Sequence, residues 1–280
     1  MTWTFTRDLT AYLTTAGPAV AAQPVVNTLL LTVADALERR GPGTFGDGSP
    51  RFGWWTGPDG SVAGGLVCTP PYPLVLGALP EQAVRELGAA LDSEPLLAGL
   101  SGFNARRADA ELLAAAWGRP AKVEEELRLH RLEELLPPDP APAGRARPAV
   151  EADLPLLLDW LTAYTTELGE PAPPTEAALR DRMGYQGIRL WEDAGVPVSL
   201  ASFSPVLGGA ARVGPVYTPP ELRGRGYAAG VTHAATVAAQ ALGAAEVLLF
   251  TDLANPTSNG IYGRLGYRPV EDRVILASAG

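Results

Sequence analysis

The chain has 280 residues, 46% of them hydrophobic and 19% charged, which is the composition of a globular protein with a buried core. Its length suits one large domain or two domains of ordinary size. The net charge of −9 and the pI near 4.8 argue against nucleic acid as a partner, because phosphate backbones are bound by basic surfaces.

The compartment is indicated by cysteine content and by hydropathy. Cys68 is the single cysteine, which excludes an intrachain disulfide and suits a reducing compartment. Its apolar surroundings at 65–68 favour a buried structural thiol over a nucleophile. No basic region precedes an apolar run at the N-terminus, and no stretch approaches ~18 uninterrupted apolar residues. We therefore expect a cytoplasmic protein without a signal peptide, a membrane span or a membrane partner.

Periodicity and turn signals predict the elements of the first half. Apolar residues four apart predict a helix over 24–40, which Gly41-Pro42-Gly43 ends. Similar signals predict strands at 52–55, 62–68 and 74–79, helices at 81–91 and 105–117, and a segment at 123–132 that fits a strand or a helix. Trp54 and Trp55 could line a pocket, although a core role is the better interpretation.

A proline-rich segment separates the two halves. Residues 137–144 contain Pro137, Pro138, Pro140 and Pro142, a density that excludes helix and central strand alike. We interpret the segment as a stiff, extended linker between domains at 1–136 and 145–280.

The second half shows antiparallel strands first and a strand–helix–strand unit later. The predicted strands are 188–192, 196–203, 211–218, 247–251 and 267–276, and the predicted helices are 153–168, 175–183, 227–242 and 257–265. This order predicts an α/β (α+β) domain, in which helices flank both faces of a mixed, mostly antiparallel sheet.

The segment that links strand 211–218 to helix 227–242 predicts an anion site. Its glycines allow close approach of a bulky anion, and the helix start presents unpaired N–H groups at the positive end of the dipole. Arg223 and Arg225 add bidentate donors for phosphate oxygens. The residues we expect at the site are Val216, Tyr217, Thr218, Arg223, Gly224, Arg225, Gly226, Tyr227 and Ala228.

Two nucleotide-binding motifs compete for this loop. A P-loop is excluded, because no Gly-Lys-Ser/Thr follows. A dinucleotide fingerprint fits Gly224-x-Gly226-x-x-Ala229, with Asp252 at the next strand end, and would imply an NADP-binding oxidoreductase. That match is weak, since Gly224 lies well beyond Thr218 and only residues 253–280 follow Asp252, too few for further βα units.

Arg223-x-x-Gly226-x-Ala228 resembles the Arg/Gln-x-x-Gly-x-Gly/Ala signature of the GNAT superfamily of N-acetyltransferases, whose loop amides cradle the pyrophosphate of coenzyme A. The run 249–267 resembles the last motif of that family, in which an asparagine contacts the pantetheine arm and a helix carries a tyrosine. Asn255-Pro256-x-Ser258-Asn259 is most similar to the glycine N-acyltransferase-like branch. Both motifs in order are far more specific than either alone.

The resemblance implies direct transfer of an acetyl group from acetyl-CoA to a primary amine on a small molecule or peptide, in a ternary complex. Backbone groups of Val216 and Thr218 would bind the pantetheine arm, together with Asn255, Ser258 and Asn259. Tyr262 would be the catalytic proton donor, since a phenol can protonate a thiolate as the C–S bond breaks. The alternative is a non-catalytic sensor or scaffold that binds acetyl-CoA.

Other titratable residues are weaker candidates. Asp252, Glu167 and Glu170 are candidate general bases by location. His233 fits a packed or surface histidine, and His130 has no partner that sequence can show. No His, Cys, Asp and Glu cluster has metal-ligand spacing, so no metal is predicted.

The first half lacks the glycine-arginine loop, yet its predicted elements echo the order of the second half. We interpret it as a degenerate GNAT-like domain in a tandem arrangement, which shapes the acceptor pocket and binds no second cofactor. The sequence leaves a homodimer open.

Overall fold

The computed structural model describes residues 2–169 and 175–278. The chain forms two compact units, one of Met1–Leu129, Asp252–Ala254 and Glu271–Gly280, the other of His130–Thr251 and Asn255–Val270. The domain bounds 1–136 and 145–280 stay a prediction. The C-terminal segment, however, belongs to the first unit, and no local sequence signal indicates that crossing.

The first unit is a sheet with helices on both faces. Its strands are β1 (Thr2–Thr6), β2 (Arg51–Thr56), β3 (Val62–Cys68), β4 (Leu74–Leu76), β5 (Gly102–Arg106) and most of β6 (Ala121–Leu132), and its helices are α1 (Leu9–Thr15), α2 (Gly17–Ala21), α3 (Thr28–Arg40), α4 (Glu81–Ala90) and α5 (Arg107–Ala116). Neighbouring strands from β1 to β4 are antiparallel, and β4 and β5 are parallel. The end of the last strand, β12 (Tyr267–Ser278), pairs antiparallel with β5. The apolar faces of α4 and α5 pack on one side of the sheet, and those of α1 to α3 on the other.

The second unit repeats this pattern. It contains β7 (Arg145–Pro148), β8 (Ile188–Asp193), β9 (Val196–Phe203), β10 (Ala210–Tyr217), most of β11 (Glu246–Asp252) and the helices α6 (Leu154–Leu168), α7 (Glu176–Gly184), α8 (Tyr227–Ala241) and α9 (Pro256–Arg264). Strands β7 to β10 are antiparallel neighbours, and β10 and β11 are parallel. Helices α8 and α9 cover one face and α6 and α7 the other. The predicted mixed α/β fold is confirmed.

The predicted linker has no helix or strand, but it is packed rather than free. The indole Nε1 of Trp191 donates a hydrogen bond of 2.7 Å to the carbonyl of Ala143. Gly230, on the buried face of α8, lies so close to Pro142 and Trp191 that a Cβ there would come within 2.8 Å and 3.0 Å of them. A small residue at 230 therefore lets α8 approach this segment.

Several predicted elements differ from the observed ones. Residues 102–106 form a strand, whereas the sequence predicted that a helix begins at 105, and β1, α1, α2 and β7 were not predicted at all. The ambiguous segment 123–132 is a strand. These elements are short or weakly periodic, so their conformation depends on the neighbours against which they pack. Within the described ranges, no helix is long and apolar enough to cross a bilayer.

Candidate active site

The central feature of the second unit is a gap between its two parallel strands. Strands β10 and β11 pair only over 210–213 and 246–249. Beyond Val213, β10 continues to Tyr217 and pairs with β9 alone, at Ala201 and Leu200. Among the described residues, 214–217 thus leave one edge of β10 unpaired toward β11. Such an edge presents backbone N–H and C=O groups that an extended ligand can bind.

Side chains stabilise the unpaired end of β10. A bulge between Val213 and Val216 interrupts its register with β9. Nearby, Ser202 donates to the Gly214 carbonyl at 3.0 Å, and Ser199 donates to the Tyr217 carbonyl at 2.9 Å. Because the Ser199 proton is used in this way, the hydroxyl of Thr218, 2.8 Å away, is the donor toward Ser199. These bonds hold the strand end in place without a second partner strand.

The loop that leads into α8 has the features expected of an anion site. Gly224 and Gly226 adopt φ of +79° and +81°, a conformation that disfavours other residues. In the segment that begins at Gly224, Gly230 is the first residue whose backbone N–H has an acceptor in the protein. It donates to the Gly226 carbonyl at 3.1 Å. In the described structure the N–H groups of 224–229 donate no hydrogen bond to the protein. The positive end of the α8 dipole adds to the attraction for an anion.

Arg223 does not extend freely from this loop. Its Nε donates to the carbonyl of Thr218 at 2.9 Å, and its Nη2 donates to both carboxylate oxygens of Glu167 at 2.9 Å and 2.8 Å. The guanidinium also lies 5.9 Å from the centre of the Tyr217 ring. The contact between Arg223 and phosphate stays a prediction. In the structure, the side chain binds Thr218 and Glu167 instead.

Tyr227, the first residue of α8, is anchored to the end of β8. Its hydroxyl donates a short hydrogen bond to the carboxylate of Asp193, and this bond raises the pKa of Tyr227. Arg225 lies beside the same phenol and offsets part of the rise in the pKa of Tyr227. Tyr227 therefore orients the helix start, and Arg225 is an exposed cation of the loop.

Tyr262 lies on α9 and packs against the core beneath α8. Its ring meets that of Tyr267 edge-on, with centroids 6.2 Å apart. Burial raises the pKa of Tyr262 to about 12. The nearby Thr232 hydroxyl offsets part of this rise, although it forms no hydrogen bond with the Tyr262 phenol. The Thr232 side chain is fully buried. The phenol of Tyr262 is thus protonated at neutral pH, the state a proton donor requires.

The motif that begins at Asn255 forms a connected polar chain. Asn255 caps α9, because its Oδ1 accepts the N–H of Ser258 at 3.1 Å. Asn259 donates through Nδ2 to the Asn255 carbonyl at 2.8 Å, which turns its Oδ1 toward Thr251 at 2.7 Å. Thr251 must therefore donate to Asn259 and accept from His130, 3.1 Å away, so Nε2 of His130 carries the proton.

These hydrogen bonds give different roles to the three residues that were predicted to contact pantetheine, Asn255, Ser258 and Asn259. Both ends of the Asn259 amide are engaged inside the protein, so Asn259 fixes α9 to the end of β11. Asn255 is exposed and uses only its oxygen for the cap, which leaves the NH₂ group of its side chain for a ligand. Ser258 takes part through its backbone N–H.

The candidate bases have different surroundings. Glu167 has both carboxylate oxygens bound to Arg223, which makes it a poor free base. Asp252 accepts the N–H of Ala254 at 2.8 Å. Glu170 lies outside the described residues. Burial lowers the pKa of His233 on α8, so this half-buried histidine is neutral at pH 7.

Other predicted features of the sequence are structural. Burial raises the pKa of the Cys68 thiol to about 11, which fits a packed, unreactive side chain. Trp55 is buried in the core of the first unit, and Trp54 is packed against a second cluster. In the parts of the chain that the structure describes, no group of three or more His, Cys, Asp and Glu is arranged to hold a metal ion.

The structure joins the predicted residues into two connected groups. One contains the end of β10, Arg223 and the loop that starts α8, and the other contains Asn255, Ser258 and Asn259. Sequence analysis missed Asp193, Ser199 and Thr232, which bind or face members of these sets. Ser199 had a visible signal, since it and Ser202 are the two polar residues in the mostly apolar run 198–203.

Comparison with known proteins was made by sequence and by structure. Residues 154–267 match the model of the "Acetyltransferase (GNAT) family". No curated protein matches the sequence significantly.

Solved structures with the same fold extend over nearly the whole chain. An acetyltransferase from the GNAT family of Colwellia psychrerythraea is similar over 99% of both chains, with a TM-score of 0.64 and 12% identity. A GCN5-related N-acetyltransferase from Sphaerobacter thermophilus covers 98% of this chain and 94% of its own, with a TM-score of 0.58 and 18% identity. One from Kribbella flavida covers 77% and 86%, with a TM-score of 0.55 and 22% identity.

These structural likenesses concern the fold, and the family match concerns the segment 154–267, which contains both the loop 223–228 and Tyr262. The comparisons thus support the GNAT acetyltransferase superfamily for this segment and give the chain the mixed α/β fold of GNAT proteins.

Proposed function

We propose that the protein is an N-acetyltransferase that uses acetyl-CoA as its acyl donor and a primary amine as its acceptor. The observation that carries this proposal is the unpaired edge of β10, which leads directly to a loop with unsatisfied N–H groups. Few ligands need both an extended, amide-rich partner strand and an anion site one loop away. Coenzyme A has both, in its pantetheine arm and its pyrophosphate.

The residues present fit this donor. The N–H groups of the loop that contains Gly224 and Gly226 would hold the pyrophosphate, with Arg225 contributing charge. Backbone groups of Val216 and Thr218 would hold the pantetheine amides, and the side-chain NH₂ of Asn255 would support the arm. When bound, acetyl-CoA supplies an acyl group activated as a thioester.

The chain would contribute polarisation and a proton. A backbone N–H on the unpaired edge of β10 would stabilise negative charge on the acyl oxygen, and Pro215 is excluded from that role because it has no N–H. Tyr262 holds a proton on its phenol at neutral pH and would deliver it to the leaving sulfur. The amine would attack directly, without a covalent enzyme intermediate.

The finer assignments are part of the proposal. The run Asn255-Pro256-x-Ser258-Asn259 supports a place in the glycine N-acyltransferase-like branch. The shared order of antiparallel strands followed by one parallel pair in both units supports a tandem arrangement. In the first unit no glycine-arginine loop follows β4, which supports a degenerate copy.

A thermal melt tests the donor. At about 100 times its Kd, a ligand stabilises the folded state by about 2.7 kcal/mol, which raises the midpoint by several degrees. We expect such a rise with acetyl-CoA and none with NADPH. A rise with NADPH instead would favour the dinucleotide interpretation of the loop and overturn the proposal.

Turnover is tested with a panel of amines and detection of the released thiol. Amine-dependent thiol release is expected for at least one acceptor class. Stabilisation by acetyl-CoA without thiol release across amino acids, polyamines, aminoglycosides and peptide N-termini would indicate a sensor or scaffold.

A further inference from the structure

Arg223 connects three elements of the second unit. It belongs to the anion-binding loop, yet its guanidinium bonds the Thr218 carbonyl at the end of β10 and the Glu167 carboxylate in the last turn of α6. Loop and helix are 56 residues apart in sequence. The side chain therefore acts as a bridge between elements that no backbone hydrogen bond joins among the described residues.

The geometry of the bridge requires arginine. The planar fork donates through Nη2 to both oxygens of one carboxylate while Nε bonds a carbonyl, and its face lies over Tyr217. A lysine ammonium could satisfy one of these partners at a time. Tyr217 in turn packs against Trp160 and Tyr164 of α6, with ring centroids 6.2 Å and 6.4 Å away. Polar and aromatic contacts thus converge on the same strand end.

The ion pair with Glu167 weakens the attraction of Arg223 for phosphate. Glu167 neutralises the guanidinium, and an anion that approached it would meet the carboxylate as well. Both arginines of the loop are exposed, but among the described residues no carboxylate forms an ion pair with Arg225. The two arginines of the motif therefore have separate tasks.

We infer that Arg223 is a positioning residue, which ties the anion-binding loop and the end of β10 to α6, and that it is not a phosphate ligand. The inference rests on the proposed function for its coenzyme part. Its consequence is that acetyl-CoA, once bound at the loop, restrains the last turn of α6, and that this restraint depends on Glu167.

The two roles predict opposite effects of Glu167→Gln. If Arg223 were a phosphate ligand, loss of the competing carboxylate would free the guanidinium and tighten CoA binding. If Arg223 positions the loop, Glu167→Gln and Arg223→Gln should weaken CoA binding alike, by about threefold each, and the double variant should be no weaker than either single one.

The experiment combines titration calorimetry with CoA and hydrogen exchange on the wild type, the two single variants, the double variant and Glu221→Gln. Glu221 is an exposed acid of the same loop and serves as the matched control. We expect acetyl-CoA to slow exchange in the loop and over 164–168 in the wild type and the control. In the variants of Arg223 and Glu167 only the loop should be protected.

Tighter CoA binding by Glu167→Gln, or a loss of more than about tenfold confined to Arg223→Gln, would overturn the inference. The inference would also be overturned if acetyl-CoA protected α6 from hydrogen exchange equally in all variants. Thermal unfolding without ligand gives an independent double-mutant cycle, in which additive losses would show that the bridge does not couple the two residues. The wild type could fail to bind acetyl-CoA while the double-mutant cycle without ligand is non-additive. In that case the proposed function is wrong, but the structural bridge between Arg223 and Glu167 is supported.

Discussion

At the scale of single residues, the site depends on which protons the fold fixes. The bond directions around Asn259 place a proton on Nε2 of His130, and burial keeps the phenol of Tyr262 protonated. The tautomer of His130 cannot be deduced from residue type, because it follows from what surrounds the ring. A phenol is protonated at neutral pH in any case, and burial raises its pKa further. The role of Tyr262 as proton donor rests on the family resemblance and stays a prediction.

Tyr262→Phe is expected to lower kcat by about 10² or more, since it removes the proton for the leaving sulfur, while the Kd for CoA changes little. Tyr267→Phe, which removes a neighbouring buried hydroxyl, serves as the control and should leave kcat within about threefold. Steady-state kinetics and CoA titration measure both. Unchanged turnover in Tyr262→Phe would remove this residue from the mechanism.

The alkaline side of the pH–rate profile gives a second check on Tyr262. A raised pKa means that the protonated phenol persists as pH rises and is lost only near pH 12. We therefore expect no fall in kcat that depends on Tyr262 below about pH 10. A decline near pH 8 that disappears in Tyr262→Phe would contradict the assigned environment.

At the scale of elements, the position of the candidate site is set by the ends of the two parallel strands, β10 and β11. Strand β9 and the start of α8 have the boundaries that periodicity and glycine placement predict, and the other predicted elements of the second half agree within about two residues. Neither periodicity nor turn signals indicated the separation of β10 from β11. It arises because pairing stops at Val213, where the bulge begins.

The start of α9 provides a prediction for an element. The side chain of Asn255 caps this helix. Asn255→Ala should lower the free energy of unfolding by about 1 kcal/mol, because the Ser258 N–H loses its acceptor. Thr257→Ala, at an exposed position of the same turn, should change it by less than about 0.5 kcal/mol. Urea unfolding without ligand measures both, and equal losses would contradict the assignment of the cap.

At the scale of the whole molecule, the C-terminal strand serves both units. Residues 267–270 of β12 belong to the second unit and Glu271–Gly280 to the first, where β12 pairs with β5. Arg273 is 1% exposed and is bonded to the Leu76 carbonyl at 2.7 Å and to both the side chain and carbonyl of Asn104. Its Nη1 also pairs with Glu271 at 3.0 Å. The first unit is thus completed by the end of the chain.

Arg273→Met should destabilise the protein by about 3–5 kcal/mol, because it leaves buried carbonyls and a carboxylate without their donor. Arg268→Met, which removes a half-exposed arginine of the same strand, is the control and should cost less than about 1 kcal/mol. Denaturant unfolding measures the difference. A loss below about 1 kcal/mol for Arg273→Met would show that the buried guanidinium does not hold the strand in the first unit.

The sequence alone determined the class of fold, because that class depends on local periodicity and on the order of the elements. Glycine and arginine spacing and motif order also indicated the loop 223–228 and Tyr262, whose roles stay predictions. Only the tertiary structure decided what Arg223 and Asn259 bind, which residue caps α9 and where the last strand belongs. Those outcomes depend on contacts between residues far apart in sequence, such as Arg223 with Glu167 and Arg273 with Leu76. A side chain with several donors can satisfy them in more than one way, and packing selects among them.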